Sequence, residues 1–184
     1  MSILDDNASR QPMPSEWIRE HTKLISPGGS VLDLACGSGR HTSFLLKRGN
    51  NVTALDRDIS QLKDVPETKN LKILEHDLEG ALRWPFAPQA FDGIIVANYL
   101  YRPLFSEIVK SLAPQGILIY QTFAVGNEKY GHPRNPQYLL SKDELLQVFG
   151  KRLHVVKYSH GLIKRPFPAV MQSICCINNT ELND

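Results

Sequence analysis

The amino-acid sequence predicts an α/β fold: a doubly wound, mostly parallel sheet of seven strands that ends in an antiparallel C-terminal hairpin. Three observations carry this expectation. Short apolar runs alternate with amphipathic stretches along most of the chain, the strand–helix rhythm from which parallel sheets are built. The first of these runs, "VLDLA", enters the glycine turn "CGSG", where a strand can pass sharply into a helix. The last two, "LHVVKYS" and "AVMQSICCIN", are separated only by "HGLIKRPFP", too short for a helical crossover, so they pair antiparallel.

Each element has a local reason. "PSEWIREHTKLI" places Trp17, His21 and Leu24 at i, i+4 and i+7, flanked by Ile18 and Ile25, and reads as an amphipathic helix that "PGGS" ends. After the glycine turn, "HTSFLLKRG" is a helix closed by Gly49. "NVTALD", "LKILEHD", "FDGIIVANYL" and "GILIYQTF" are β-branched or apolar runs of strand length, with the helix-like "RPLFSEIVKSLAP" before the last. "SKDELLQVFG" opens on a capping box, Ser141 with Glu144. These units give five β/α repeats and then the hairpin. A chain of 184 residues suits one domain over 1–184, with residues 1–13 flexible, a helix over 14–26 and the core over 30–178.

Composition excludes several classes. A hydrophobic share of 42% and a charged share of 22% are globular values, and a net charge of +2 is too small to argue for nucleic acid by itself. No run approaches a membrane span, and the acidic start has no leader-like apolar core, so a cytoplasmic protein without a membrane role is expected. The three cysteines match neither a disulfide framework nor a four-ligand metal site; reduced, buried thiols and no metal are expected.

The glycine turn carries the chemistry. In an open parallel sheet ligands bind beyond the carboxyl ends of the strands, where Asp33, the turn, Asp56, Asp77 and Asn98 fall. Gly37 and Gly39 allow a sharp bend and close approach of the backbone to a ligand. Asp56 lies about 20 residues past the turn, the spacing at which a carboxylate meets a ribose diol. A third fingerprint glycine would fall on Thr42, and the lysine of a P-loop is missing, since Arg40 and His41 follow Gly39. Asp33 would repel a polyphosphate and suits an ammonium or sulfonium. A nucleoside with a cationic amino-acid tail satisfies these demands, and S-adenosylmethionine is such a molecule.

The motifs agree with that reading. "VLDLACGSGR", "VTALDRD", "LEHDLEG", "FDGIIVANYLYRPLF" and "LAPQGILIYQTF" resemble, in this order, the successive motifs of the class I S-adenosylmethionine-dependent methyltransferases, a Rossmann-like family. "CGSGRHT" and the small size look closest to its compact tellurite-resistance-like branch. Two positions depart from the pattern: Ala35 replaces the first glycine, and Gln115 stands where the turn into the fifth strand has glycine.

The resemblance implies roles for named residues. Asp33, Ala35, Gly37 and Gly39 surround the methionine part of the cofactor, and Arg40 reaches its carboxylate or forms an ion pair. Asp56 holds the ribose, Arg57 lies beside the adenine, Asp77 and the Leu78 amide meet its edge, and Asn98 sits by the sulfonium.

For catalysis, Tyr99 (with Tyr101 beside it) and His132 are the candidates, the latter on the long stretch from Thr122 to Leu140 with Tyr130, Arg134 and Asn135. Arg102 either steers an anionic substrate or serves the fold. His21 and His154 are expected to be structural or exposed, and His41 a helix-start residue. The acceptor expected is a small molecule. An RNA or protein acceptor, footed on a patch of Lys157, Lys164 and Arg165, and a non-catalytic cofactor-binding partner subunit are the alternatives.

Overall fold

The computed structural model describes residues 13–80 and 83–179. Strands β1 (Ser30–Leu34), β2 (Asn51–Asp56), β3 (Leu71–Glu75), β4 (Phe91–Ala97), β5 (Leu112–Phe123), β6 (His154–Ile163) and β7 (Ala169–Ile177) form one sheet in the order β3-β2-β1-β4-β5-β7-β6. β1 to β5 are parallel, and β7 runs against both of its neighbours. The expected Rossmann-like, mostly parallel sheet with its C-terminal hairpin is therefore present. The hairpin folds back so that its second strand, not its first, sits against β5.

Helices α1 (Glu16–His21), α2 (Arg40–Lys47), α3 (Phe105–Ser111) and α4 (Glu144–Phe149) cover the two faces. Strand side chains alternate between faces, so the sheet has two cores. On one side Leu32, Leu34, Ile94, Val96 and Leu118 meet Phe105 and Ile108 of α3 and Phe149 of α4. On the other, Val31, Val52, Ile95 and Ile119 meet Ile18 of α1, Ile25 and Leu45 of α2. The same alternation sends Cys175 and Cys176 into opposite cores, where they are free and buried. Burial pushes both thiols up to about 12.

Several expectations shift. The buried side of the first helical segment is Ile18, His21, Thr22 and Ile25, whereas Leu24 is 46% exposed and does not share a face with Trp17. A short 3₁₀ turn at Thr22–Leu24 rotates Leu24 away from the stripe that α-helical spacing implies. The helix–strand rhythm also breaks. β2 reaches β3 through only a 3₁₀ turn at Ile59–Leu62, and among the described residues no helix joins β3 to β4. At Ser141 half of the capping box forms: the Glu144 side chain accepts from the Ser141 N–H at 2.8 Å, but the serine hydroxyl caps nothing and α4 begins only at Glu144. The expected flexible segment, residues 1–13, lies outside the described residues apart from Met13, which is exposed.

Gln115 explains why its position favours glycine. It adopts φ +62°, donates its backbone N–H to Asn178 O at 2.8 Å and bonds Asn179 through its side chain. A left-handed non-glycine is uncommon, and the C-terminal end of the hairpin holds it in place. This lies at the amino end of the sheet, far from the crevice where strand order reverses between β1 and β4.

Candidate functional site

β1 delivers the chain into a turn of three left-handed residues, Ala35 (φ +54°), Gly37 (φ +53°) and Gly39 (φ +76°). Only glycine tolerates this conformation freely, so Ala35 stores backbone strain of about 1–2 kcal/mol at the mouth of the crevice. The turn is tied down on both sides. Cys36 N–H donates to Leu55 O at 3.0 Å, and Gly37 N–H donates to Asp56 Oδ2 at 2.8 Å. Asp56 thus shapes the turn as well as facing the crevice.

The two glycines differ in purpose. A Cβ on Gly37 would meet nothing within 4 Å, so its surroundings are open to a ligand. A Cβ on Gly39 would stand 2.5 Å from Val65 Cγ2 and 2.7 Å from Leu62 Cδ2. The close approach expected at Gly39 is therefore made to the chain's own 3₁₀ segment and not to a ligand.

Asp33 is almost wholly buried beneath the turn, on the sheet face covered by α2. It accepts from Thr42 Oγ1 at 2.6 Å, and burial raises its pKa to about 6, partly offset by that bond and by the Arg40 charge. Arg40, half-buried at the start of α2, forms no ion pair among the described residues. Burial lowers its pKa, and the Asp33 charge works against the shift. Beside it His41 is buried and accepts from Ser15 N–H at 3.3 Å; burial pushes its pKa down to about 3. His41 is thus a neutral acceptor that, with the Ser15–Gln121 side-chain bond, fastens the start of α1 over the crevice. His21 is structural: it bonds Trp17 O at 2.7 Å and stacks on the Trp17 ring.

Beyond the strand ends lie two adjoining cavities. The larger, about 270 Å³, is walled by Ala35, Asp56 and Arg57 from one side and His76, Asp77 and Leu78 from the other. The smaller, about 180 Å³, is walled by Asn98, Leu100, Thr122 and Phe123, with Pro133 at its rim. Glu79, Tyr99 and Tyr138 belong to both. Of the residues expected at the cofactor, Ala35, Asp56, Arg57, Asp77 and Leu78 come together on one wall, and Asn98 stands on the neighbouring one. Asp33, Gly37, Gly39 and Arg40 are not among the lining residues; Asp33 and Gly39 are buried beneath the wall, whereas Gly37 stays open. Tyr99 spans the two cavities, whereas His132 is exposed and lines neither.

Sequence reasoning missed Glu79 and Tyr138. Glu79 follows Asp77 by two residues, and the Asp77 carboxylate accepts its N–H at 3.0 Å, so the acid motif on the third strand carried the signal. Tyr138 lies on the long stretch after β5, where no local pattern separates a cavity residue from its exposed neighbours.

Arg102 serves the fold. Its guanidinium makes paired bonds to Glu144 at 2.6 and 2.9 Å and donates to Gln137 O and Leu139 O at 2.9 and 3.0 Å. It thereby clamps the segment carrying Tyr138 to α4, and the expectation of an anion-steering residue is replaced by this one. Arg102→Ala is expected to lower stability by only about 1 kcal/mol, because the pair is partly exposed. Its local effect is larger: hydrogen-exchange protection of residues 137–145 should fall at least about tenfold, and unchanged protection would show that the clamp is idle.

The basic patch expected from Lys157, Lys164 and Arg165 does not form as one surface. Lys157 pairs with Glu20 at 3.2 Å and lies over the Trp17 ring, while Lys164 and Arg165 sit past the end of β6, about 20 Å further along at strand rise.

The glycine turn after β1 and the acid ending β2 frame the crevice of a sheet ordered β3-β2-β1-β4-β5-β7-β6. Residues 31–116 match the family model described as a methyltransferase domain. In structure the chain is similar to TehB from Haemophilus influenzae, with a TM-score of 0.69 and 19% identity over 88% of this chain and 61% of that one. It is also similar to the Burkholderia thailandensis 1,6-didemethyltoxoflavin-N1-methyltransferase, solved with S-adenosylhomocysteine, with a TM-score of 0.61 and 16% identity over 88% of this chain and 76% of that one. In sequence it is 26% identical to the tRNA (cytosine(72)-C(5))-methyltransferase NSUN6 of Homo sapiens, over 67% of this chain and 35% of that protein. The chain spans about half or less of the length of the curated relatives it matches.

Proposed function

We propose that this chain binds S-adenosylmethionine in the larger cavity and transfers its methyl group to a small molecule held in the smaller one. The observation that carries this reading is the pair of adjoining cavities at the strand ends, with Tyr99 on both walls. When bound, S-adenosylmethionine supplies an electrophilic methyl carbon on a sulfonium, and the displaced thioether needs no acid. The chain's own residues then have three tasks: to hold the nucleoside, to align a nucleophile and to exclude water.

The donor set fits a cationic nucleoside. Asp56 offers a carboxylate to the ribose hydroxyls, and Asp77 and the Leu78 amide suit an adenine edge, with Arg57 beside it. The buried Asp33 carboxylate under the turn favours an ammonium over a phosphate above it. Tyr99 is the stronger candidate for contact with the reacting centre, through its ring and its hydroxyl. His132 stands next to Pro133 on the rim of the smaller cavity and enters the reaction only if its stretch of chain folds inward.

A small acceptor is supported by the smaller cavity, which at about 180 Å³ is the tighter of the two. The likeness to NSUN6 favours an RNA acceptor, but Lys157, Lys164 and Arg165 form no single basic patch. The buried, protonated cysteines suit a reducing compartment, and hence the cytoplasm. A non-catalytic, cofactor-binding subunit is the reading left if the chain binds cofactor and transfers no methyl.

Calorimetry tests the cofactor directly. S-adenosylhomocysteine should bind one-to-one in the micromolar range and NAD should not bind; the reverse result would overturn the reading. Transfer of labelled methyl groups to a small-molecule extract free of RNA and protein then tests the acceptor class.

A further inference from the structure

The smaller cavity has an unusual charge balance. Among the described residues, Glu79 is the only charged one on its wall, and the remaining lining is aromatic, aliphatic or neutral polar. An oxyanion or carboxylate acceptor would face that carboxylate with no cation of the wall to offset it, and like charges repel at this range. Three aromatic side chains, Tyr99, Phe123 and Tyr138, surround the same space. Their ring faces attract cations.

Tyr99 adds a second, independent feature. Its hydroxyl is buried and has no hydrogen-bond partner among the described residues. A buried, unpaired hydroxyl is costly and calls for a partner. Burial holds the phenol protonated well above its ordinary range, and the neighbouring Glu79 carboxylate adds to the shift. The pair thus presents one neutral donor–acceptor and one anion side by side.

From this juxtaposition we infer that the smaller cavity selects a nitrogen nucleophile, a small amine, with Tyr99 bonding the nitrogen and Glu79 countering the positive charge that forms on it. The inference rests on the methyltransferase reading above and names its acceptor class. The electrons balance simply. The amine, bound as its ammonium, first gives one proton to the Glu79 carboxylate and on to water, which the exposed position of Glu79 allows. The freed nitrogen lone pair then forms the new bond to the methyl carbon, and the carbon–sulfur pair stays with sulfur as a neutral thioether. The methylated nitrogen is again cationic and faces the re-ionised Glu79 carboxylate. A nitrogen acceptor needs this arrangement because charge appears on the atom being methylated; groups that meet the charge as it develops stabilise the transition state. An anionic oxygen acceptor would instead lose charge in the reaction and gain nothing from a carboxylate.

Binding measurements on the full chain separate the outcomes. With the chain saturated by S-adenosylhomocysteine, three probes of one shape are titrated by NMR at pH 7.5: benzylamine, benzyl alcohol and benzoate. Benzylamine, cationic at this pH, should bind at least about fivefold more tightly than the alcohol, the size of one half-exposed charge pair, and benzoate more weakly than either. With each variant saturated by S-adenosylhomocysteine at its own measured affinity, Glu79→Gln should erase the preference for the amine, and Tyr99→Phe should weaken amine and alcohol alike. Benzoate binding as tightly as benzylamine, or an amine preference that survives Glu79→Gln, overturns the inference. Failure of the native chain to bind S-adenosylhomocysteine at all overturns the cofactor reading, and the inference falls with it.

Discussion

In Asp56→Ala, affinity for S-adenosylhomocysteine should fall at least about a hundredfold, because a hydrogen bond to a charged group contributes about 1.5–3 kcal/mol and two are expected to the ribose diol. The structure adds a second reason for a large effect. Asp56 Oδ2 accepts from Gly37 N–H at 2.8 Å and Oδ1 from Asp58 N–H at 3.1 Å, so the carboxylate holds the glycine turn in register with the end of β2. Alanine removes the ligand's partner and the anchor of the turn together. Asp56→Asn separates the two roles. Its amide oxygen can still accept from Gly37 but carries no charge, and a loss of about tenfold is expected, midway between native and alanine. Calorimetric titration of the three proteins decides the matter: equal affinities would refute the ribose role, and equal losses in Ala and Asn would assign the whole effect to charge.

Asp33 should make the chain less stable as pH rises through the mildly acidic range. Burial raises its folded pKa to about 6 from an ordinary 3.8. Below both values the group is protonated in either state and costs nothing. Between them the unfolded chain loses its proton while the folded chain keeps it, so stability falls with rising pH and levels off above about 6. Two pKa units correspond to about 3 kcal/mol. Asp33→Asn keeps an acceptor for Thr42 and removes the titration, so it should match the native chain near pH 4 and exceed it by up to about 3 kcal/mol at pH 8.

His41 must be separated from this effect. Its pKa, lowered to about 3 by burial, makes the folded chain lose stability as pH falls below about 6.5, the opposite slope over an overlapping window. The difference between native and Asp33→Asn, measured by denaturant unfolding at each pH, cancels His41. A difference that stays flat from pH 4 to 8 would show that Asp33 is not titrating. A buried carboxylate that weakens the free protein is a common feature of sites shaped for a ligand, and a cationic ligand should reduce the cost.

These two acids show how differently the site could be read from sequence. Asp56 was legible because its spacing from the turn and its place at a strand end are both local facts. Asp33 was legible as a residue, but its burial was not. The alternation of β1 sends it to the face covered by α2, and only the packing of that helix puts it under the turn instead of on the cavity wall. Gly39 is similar. Its φ of +76° follows from the turn, but its neighbours Val65 and Leu62 come from a segment more than twenty residues later.

Arg102 and Glu79 mark where sequence reading ran out. An arginine before a proline at a helix start has no local partner, and its clamp on Glu144, Gln137 and Leu139 spans 35 to 42 residues. Glu79 follows β3 and Tyr99 follows β4, three places apart in the sheet, and only the folded chain brings them to one wall.

What the sequence determined by itself was the periodic part: parallel strands, a closing hairpin, a glycine turn and acids at fixed distances along the chain. Those properties depend on backbone conformation and on neighbours a few residues away, which a linear sequence displays. The tertiary structure alone decided which acids line the larger cavity, which side chains enclose the second one and what the long stretch after β5 is fastened to. Each is a contact between distant segments, set by how helices pack on a twisted sheet, and no spacing along the chain encodes it.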